Sequence, residues 1–575
     1  MGQQDLSINE LVTKIERGDI RLPEMQRQYV WRQTRVRDLL DSLYRGYPSG
    51  TILTWETDEG VATRDFAVDQ ETSDQQSFQL LLDGQQRLTS LSAILRGDPV
   101  QVRGRKRPID VLFNLEHPDN LEVITEVFED EEAEDDTDAD PDENTADASE
   151  DEILKRFDRM AFVVHSNKLA SQPHWVSVTQ VFREDNDIRF IQKAGVSDMN
   201  DPKFNKYAER LKRLRDIKNY SYRVHILDRD KSYEEVTEIF VRVNSLGAKL
   251  RSSDLALAQI TAKWRDSLRV FQEFEKECVA QGFDLGLAIH LKNLVAFATN
   301  QSRFKTVGGL AKQRLETAWE SAKKGMDFAL NFLRSNVDID SPALLSSPFL
   351  VITLAAYGHA KDYTLTPEES ARLRYWVLVA NAKARYSRGS SESFLDQDLA
   401  ALRDGKGIEG LITQLKTQVG RLVVEAADLE NRNSRSAYFK TMFLAFKKDG
   451  AQDWRDQLVI SLKHSGSQHA LQFHHVFPQA VLKRAGRETR QINDICNLTF
   501  ISGRTNRRIS DKEPADYLPD LVQKIGAAEL NKQCIPDDPS LWGVAAYDEF
   551  LHERRALIAD RLNAFLGHDQ REVRP

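Results

Sequence analysis

Cysteine is scarce in this 575-residue chain, which contains only Cys278, Cys496 and Cys534. Three widely separated cysteines predict neither a disulfide framework nor a zinc site built from thiolates. Long apolar runs are also missing, since no stretch reaches the roughly 18 residues that a membrane-spanning helix needs. The amino-terminal segment lacks the basic and apolar regions of a secretory signal. These absences predict a cytoplasmic protein without a membrane partner.

Basic residues are outnumbered, with 79 Lys or Arg against 89 Asp or Glu and a formal net charge of -10. That balance alone argues against a nucleic-acid partner. The acidic excess is local, however, because the 24 residues Glu129–Glu152 contain 15 Asp or Glu and no Lys or Arg. The rest of the chain has 79 basic and 74 acidic residues. We predict that this segment is a disordered insertion; the alternative is a phosphate mimic that competes for a DNA-binding groove.

The amino-terminal region alternates between helix and strand signals. Ser7 and Glu10 have the spacing of a capping box, and Thr34 is a candidate cap for a second helix. Phe78–Leu82 reads as a buried strand that runs into a helix ended near Gly97. This mixed pattern predicts an α/β domain at residues 1–255.

The middle of the chain is different, because residues from about 255 to 448 are mostly of helical pattern. Six residues keep helical spacing over five turns and predict core packing: Leu315, Trp319, Ala322, Met326, Ala329 and Leu333. We therefore predict an α+β multidomain fold. A helical linker domain at 256–450 separates the first domain from a third domain at 451–575.

Histidine is concentrated near the carboxyl terminus, where four of the twelve histidines lie within His464–His475. A neutral imidazole suits a general base that deprotonates water near neutral pH. Phosphodiester hydrolysis also needs a cation to bear the developing charge. Adjacent histidines in an extended segment point to opposite sides. His474 and His475 are therefore able to divide these two tasks between them.

The segment His474–Pro478, followed by Asn497 and Asn506, resembles the motif of HNH nucleases. The resemblance implies a ββα-metal finger, in which two strands and a helix hold one divalent ion, Mg²⁺ or Mn²⁺. By position, His474 and Asn506 resemble the metal ligands. His475 resembles the catalytic general base, and Asn497 resembles the Asn that fixes the loop and the base.

Two features of this segment bear on its chemistry. Leu471–Lys512 holds eight Lys or Arg against three acidic residues, an excess that suits a phosphate backbone. Lys512 matches a Lys often found after the motif. Asn506 offers a neutral amide oxygen where many relatives carry His, so the site has little charge for a hard cation. We expect metal to bind weakly until phosphate completes its shell, or Mn²⁺ to serve better than Mg²⁺.

A second motif, LLLDGQQRLTSL (Leu80–Leu91), predicts a strand, a turn and a helix. It puts Gln85, Gln86 and Arg87 at a helix N-terminus, where backbone N–H groups and the helix dipole favour anions. Arg87 adds a fork that matches phosphate oxygens. Asp83 is placed to hold Mg²⁺ or to polarise a water. The motif predicts an anion or nucleotide site; the structural alternative is that Arg87 pairs with Asp83 and only ties the strand to the helix.

Four segments in order resemble the ParB-like domain of GmrSD-type, modification-dependent (type IV) restriction endonucleases: Leu22–Trp31, the YPSG turn, Asp83–Arg87 and Ile239–Leu250. The carboxyl-terminal HNH motif and the RYS block at Arg385 fit the same family. The resemblance implies nucleoside triphosphate binding and hydrolysis by residues 1–255, with Asp83 and Arg87 catalytic. The implied nucleotide site comprises Gln26, Arg27, Asp83, Gln85, Gln86, Arg87 and Asn244.

The resemblance therefore implies a prokaryotic anti-phage DNA endonuclease. In this interpretation, nucleoside triphosphate hydrolysis is coupled to the sensing of modified DNA, and the HNH domain cleaves or nicks with a divalent metal. A homodimer is expected if double-strand cleavage needs two such sites. Two alternatives stay open: a nucleotide-gated ParB-type DNA-binding protein with an inactive nuclease site, and an RNA-cutting toxin that uses the HNH domain alone.

Overall fold

The computed structural model describes residues 2–23, 31, 33–57, 63–64, 78–98, 108–121, 157–246, 252–464 and 471–568. The chain divides into two compact units, Met1–Leu268 and Arg269–Pro575. The predicted disorder of Glu129–Glu152 and the roles of Gln26 and Arg27 concern positions outside the described residues. The three-domain boundaries at 255 and 450 remain a prediction.

The first unit contains two sheets within its described residues. Their strands are β1 (Gly2–Ser7), β2 (Ile20–Pro23), β3 (Ile52–Thr57), β4 (Thr63–Arg64), β5 (Phe78–Asp83), β6 (Val111–Asn114), β7 (Phe162–Val164), β8 (Trp175–Ser177) and β9 (Ser221–Leu227). A mixed six-stranded sheet has the order β1-β9-β3-β5-β2-β4, and a three-stranded antiparallel sheet has the order β7-β6-β8. In the larger sheet, β3 runs parallel to β9 and antiparallel to β5.

The helices of the first unit lie between these strands or after β9. They are α1 (Ile8–Glu16), α2 (Gln33–Arg45), α3 (Gln85–Leu95), α4 (Asn167–Ala170), α5 (Val178–Arg183), α6 (Asp187–Lys193), α7 (Pro202–Arg215), α8 (Tyr233–Leu246) and α9 (Ser252–Lys263). The motif helix α3 directly follows β5 through the single residue Gly84. The predicted strand, turn and helix of this motif are therefore confirmed.

Local sequence signals account for the start of α1 but not for the start of α2. The capping box is present, since the Glu10 N–H donates to Ser7 Oγ over 3.2 Å and the Ser7 N–H donates to Glu10 Oε2 over 2.7 Å. The placement of Thr34 as a cap was wrong, because α2 begins at Gln33 and Thr34 lies inside its first turn. Packing of the apolar face decides this boundary more than one hydroxyl does.

The second unit is helical through its first two thirds. Its helices there are α10 (Ser267–Ala280, which begins at the unit boundary), α11 (Leu287–Thr299), α12 (Lys312–Asn336), α13 (Phe349–Ala360), α14 (Pro367–Ala382), α15 (Ser391–Arg403), α16 (Gly407–Val419) and α17 (Ala437–Lys448). The six-residue stripe predicted on α12 is entirely buried. Among the described residues, no helix is long and apolar enough to cross a membrane.

The last third of the second unit adds two short strands to the helices. The elements are α18 (Gln479–Arg484), α19 (Thr489–Ile492), α20 (Gly503–Ile509), α21 (Pro514–Ile525), α22 (Ala527–Asn531), α23 (Tyr547–Leu566), β10 (Leu471–His475) and β11 (Leu498–Ser502). The strands β10 and β11 pair antiparallel as a two-stranded sheet. The described residues thus form an α+β fold, as predicted, and its middle part is mostly helical.

The RYS block forms a buried ion pair in the helical part of this unit. Arg385 donates to both carboxylate oxygens of Asp398, over 3.1 and 2.9 Å, and both side chains have no solvent exposure. The Tyr386 hydroxyl donates to the same carboxylate over 2.5 Å. Gln418 accepts from Arg385 over 2.7 Å. The block therefore stabilises the junction of α14, α15 and α16.

Asp398→Ala should lower the free energy of unfolding by about 3–5 kcal/mol, because it leaves the Arg385 guanidinium buried without its counter-charge. Urea denaturation of the full chain measures the loss. Glu273→Ala, which removes the exposed α10 pair with Arg269, is the control and should cost less than about 1 kcal/mol. Equal losses in the two variants would contradict a stabilising role for the buried pair.

Candidate functional site

The histidine motif lies on a strand–strand–helix unit formed by β10, β11 and α20. His474 pairs in register with Thr499, and His475 pairs with Leu498. Helix α20 begins directly after β11 because Ser502 caps it, accepting from the Thr505 N–H over 3.2 Å. We call this β10–β11–α20 unit, which carries His474, His475 and Asn506, the histidine platform.

His474 points toward α20 and meets Asn506. Its Nδ1 lies 2.7 Å from Asn506 Oδ1, and Asn506 Nδ2 donates to Gln472 Oε1 over 2.8 Å. The second bond directs the amide oxygen at the imidazole. His474 is 3% exposed, and burial lowers its pKa to about 4, although the bond with Asn506 opposes this shift. The imidazole is therefore neutral at neutral pH.

Aromatic rings surround the buried side of His474. The rings of Trp454 and Tyr517 lie with centroids 6.3 and 6.2 Å from the imidazole in edge-on arrangements. The Tyr517 hydroxyl donates to the Val476 carbonyl over 2.8 Å. Two large side chains thus exclude water from one face of His474, which is the physical cause of its low pKa.

His475 points to the other side of the strand, as adjacent residues of a strand must. Its Nε2 lies 2.9 Å from Asn493 Oδ1 and 3.3 Å from Gln479 Nε2. The ring is half-buried, and burial lowers its pKa, whereas the bond with Asn493 raises it. Sequence reasoning missed Asn493, because an Asn that lies 18 residues from its partner carries no local pattern.

Asn497 is fully buried and bonds the loop that follows His475. Its Oδ1 accepts from the Phe477 N–H over 2.8 Å, and its Nδ2 donates to the carbonyls of Phe477 and Ile492 over 3.1 and 3.0 Å. Its own carbonyl accepts from the Val476 N–H over 2.7 Å. Asn497 therefore contacts the loop, as the motif implies, while the side chain bonded to His475 is that of Asn493.

Two buried side chains outside the motif hold β11 in place. Arg554 on α23 donates to the carbonyls of Cys496, Leu498, Gln533 and Cys534 over 2.7 to 3.1 Å. The Gln533 amide accepts from the Phe500 N–H over 2.9 Å and donates to its carbonyl over 3.0 Å. The side chain of Gln533 thus occupies the place of a third strand on the free edge of β11.

The atoms His474 Nδ1 and Asn506 Oδ1 fit one side of a divalent ion, because both are metal ligands that already converge on one point. Because its pKa is lowered, the His474 ring is neutral at neutral pH and has one unprotonated nitrogen. Nδ1 carries the proton when it donates to Asn506 Oδ1, and it would have to release that proton to bind a metal ion. Within the described ranges, no group of three or more His, Cys, Asp or Glu side chains is arranged to hold a metal ion. The remaining ligands would therefore have to come from water and substrate.

Basic side chains are exposed on α20 and on the nearby helix α18. They are Lys483 and Arg484 on α18, and Arg504, Arg507 and Arg508 on α20. Lys512, beyond the end of α20, is exposed as well. The local basic excess seen in the sequence thus lies on the surface, where a phosphate backbone is able to reach it.

The second candidate site lies at the start of α3 in the first unit. Gly84 has a φ of +98° and is the residue before the helix, so no side chain caps its first turn. Arg87 donates to the carbonyls of Ser49 and Thr51 over 2.5 and 2.7 Å, and to Asp83 Oδ2 over 3.2 Å. Arg87 therefore pairs with Asp83, as the structural alternative describes, and it also binds the YPSG turn, which that alternative did not include.

The other predicted nucleotide residues divide into three groups. Gln85 and Gln86 are the first two residues of α3 and stand next to Asp83 and Arg87 in the fold. Asn244 belongs to helix α8, whose last residues have no described side chains. Gln26 and Arg27 lie outside the described residues. The structure therefore brings Asp83, Gln85, Gln86 and Arg87 together at one strand–helix junction.

Comparison with known proteins places the chain among restriction endonucleases. The model of the GmrSD restriction endonuclease N-terminal domain matches residues 8–261, and the model of the C-terminal domain matches residues 425–548. The first match contains the Asp83–Arg87 junction and the second contains the histidine platform. The chain belongs to the GmrSD restriction endonuclease family, which confirms the resemblance inferred from its motifs.

A relative of similar length is the "Uncharacterized protein MJ0686" of Methanocaldococcus jannaschii. The two chains are 23% identical over 554 residues, which cover 89% of this chain and 86% of the relative. The similarity therefore extends across both units and beyond the separately matched domains.

Gly50→Ala should destabilise the chain more than Gly46→Ala does. Both glycines have positive φ, of +94° and +75°, which costs a residue with a side chain about 1–2 kcal/mol. A Cβ at Gly50 would also lie 2.4 Å from Arg87 Nη1, whereas a Cβ at Gly46 would meet open space. Urea denaturation of both variants should show an additional loss of about 1 kcal/mol or more for Gly50→Ala. Identical losses would contradict a fixed place for Arg87 against the turn.

Proposed function

We propose that this member of the GmrSD family is a DNA endonuclease whose HNH-type site is the β10–β11–α20 platform. The observation that carries the proposal is the arrangement of two adjacent histidines on one strand. His474 converges with Asn506 over 2.7 Å, and His475 points the opposite way, where an amide holds it. These are the two separate tasks, cation binding and water activation, that phosphodiester hydrolysis needs.

In this proposal His474 and Asn506 hold a divalent ion, Mg²⁺ or Mn²⁺, which supplies positive charge for the phosphate and the leaving oxygen. His475 accepts a proton from the water that attacks phosphorus, and the P–O bond to the leaving oxygen breaks as the new P–O bond forms. Both imidazoles have lowered pKa values and are neutral at neutral pH. The exposed basic side chains of α18 and α20 bind the DNA backbone.

The proposal also includes a regulatory nucleotide site of ParB-like type in the first unit. Asp83, Gln85 and Gln86 stand at the N-terminus of α3, where the helix dipole favours phosphate. Arg87 keeps the junction in shape through its bonds to Ser49, Thr51 and Asp83. Nucleoside triphosphate hydrolysis there reports the recognition of modified DNA and controls the nuclease. Gln26, Arg27 and Asn244 are proposed to complete this site.

His475→Ala should reduce plasmid nicking by about 10²-fold or more, because it removes the general base. Nicking is measured with Mg²⁺ and with Mn²⁺, alongside phosphate release from nucleoside triphosphate, which should be unchanged. His552→Ala on α23, which removes an exposed histidine of the same unit, is the matched control and should nick normally. Normal nicking by His475→Ala would contradict the proposed base.

Asp83→Asn should reduce nucleoside triphosphate hydrolysis at least about tenfold, because it removes the charge that would hold the metal or polarise the water. The side-chain shape is nearly unchanged, so the strand–helix junction should remain intact by circular dichroism. Asp98→Asn, which lies beyond the opposite end of α3 and is exposed, is the control. Turnover of Asp83→Asn at the rate of the unaltered chain would refute the nucleotide site but leave the nuclease proposal standing.

The same assays separate the remaining alternatives. A DNA-binding protein with an inactive nuclease site would hydrolyse nucleotide without nicking DNA under either metal. An RNA-cutting toxin would cleave RNA with unaltered activity in Asp83→Asn. DNA substrates that differ only in their base or backbone modification, tested with and without triphosphate, identify what the first unit senses.

A further inference from the structure

The contact between His475 and Asn493 defines how the imidazole is held. His475 Nε2 and Asn493 Oδ1 are 2.9 Å apart, which is an ordinary hydrogen-bond length. Asn493 is partly buried, and it follows the last residue of α19. Its side chain reaches His475 across the gap between β10 and the segment that leads into β11.

The orientation of this amide is linked to which nitrogen of His475 carries the proton. Gln479 Nε2 lies 3.4 Å from Asn493 Oδ1 and 3.3 Å from His475 Nε2. With Asn493 Oδ1 as the shared acceptor, both the imidazole N–H and the Gln479 amide donate to one oxygen. The opposite orientation of Asn493 would direct two amide donors at His475 Nε2 and would place the imidazole proton on Nδ1. The first arrangement leaves the Nδ1 lone pair available and the second does not.

Asn493 is itself held from both sides along the chain. On one side, Asn497 Nδ2 donates to the carbonyl of Ile492 over 3.0 Å. On the other, Asp494 is 2% exposed and accepts from Arg555 over 2.8 Å. The Asn493 N–H donates to the Thr489 carbonyl over 3.0 Å. These bonds fix the backbone at Asn493, so its side chain presents a preorganised acceptor.

We propose that Asn493 is a positioning residue that keeps the imidazole proton of His475 on Nε2 and turns Nδ1 toward the attacking water. The proposal rests on the nuclease function proposed above. Asn493 contacts neither metal nor substrate in this scheme and acts only through His475. Asn497 bonds the loop after His475 and the carbonyl of Ile492, the residue before Asn493. The two asparagines therefore have different roles.

The test compares Asn493→Leu with Asn493→Asp in the full chain. Leu removes the acceptor at similar volume, so the single-turnover nicking rate should fall about 10- to 100-fold, with an unchanged dissociation constant for DNA. Asp keeps an acceptor and has no donor, so its nicking rate should stay within about threefold of the unaltered chain. Asn331→Leu and Asn331→Asp, at an exposed amide on α12, are matched controls.

The outcomes separate the inference from the nuclease proposal. If His475→Ala nicks normally, the nuclease proposal fails and the inference fails with it. If His475→Ala is inactive but Asn493→Leu nicks normally, the inference alone is overturned. Equal loss in Asn493→Leu and Asn493→Asp also overturns it, because a donor or a purely structural role would then explain both losses.

A second measurement does not depend on the folding of Asn493→Leu. Nitrogen-15 spectra of the chain labelled at histidine distinguish the two neutral tautomers, and the His475 signals are those that disappear in His475→Ala. We expect Nε2 to carry the proton in the unaltered chain and in Asn493→Asp. A His475 protonated at Nδ1 in the unaltered chain would overturn the inference.

Discussion

The guanidinium of Arg554 is the constraint on which the histidine platform depends. It is fully buried, burial lowers its pKa, and its hydrogen bonds go to the backbone carbonyls of Cys496, Leu498, Gln533 and Cys534. Burying a cation is costly unless polar groups surround it. Four backbone carbonyls supply these polar contacts. They converge on the guanidinium only when α23, β11 and the segment before α23 are packed in this arrangement.

Because Arg554 donates hydrogen bonds to the carbonyls of the residues on both sides of Asn497, it fixes the position of Asn497. Asn497 then holds the loop after His475 and the carbonyl of Ile492, and the next residue is Asn493. The hydrogen bonds form a connected series from a buried cation on α23 to the partly exposed imidazole of His475. If His475 is the general base proposed above, this preorganisation keeps it in place without conformational work during the reaction.

The sequence predicted local features well and long-range contacts poorly. The capping box at Ser7, the buried stripe of α12 and the strand–turn–helix at Asp83 depend on neighbours a few residues apart, so periodicity and residue type suffice. The cap at Thr34 failed because the packing of α2 decides where that helix begins. Arg87 shows the limit for single side chains, since its fork is occupied by the carbonyls of Ser49 and Thr51, which no local pattern reveals.

The sequence by itself determined the family, the opposite directions of His474 and His475, and the basic excess around them, because motif spacing and strand alternation are properties of the chain. Only the tertiary structure decided which partners those histidines have. Asn506 reaches His474 across 32 residues and Asn493 reaches His475 across 18. The tertiary structure also showed that Arg385 of the RYS block forms a buried ion pair with Asp398. These contacts depend on how strands, helices and buried charges pack together, and that packing is a property of the whole fold.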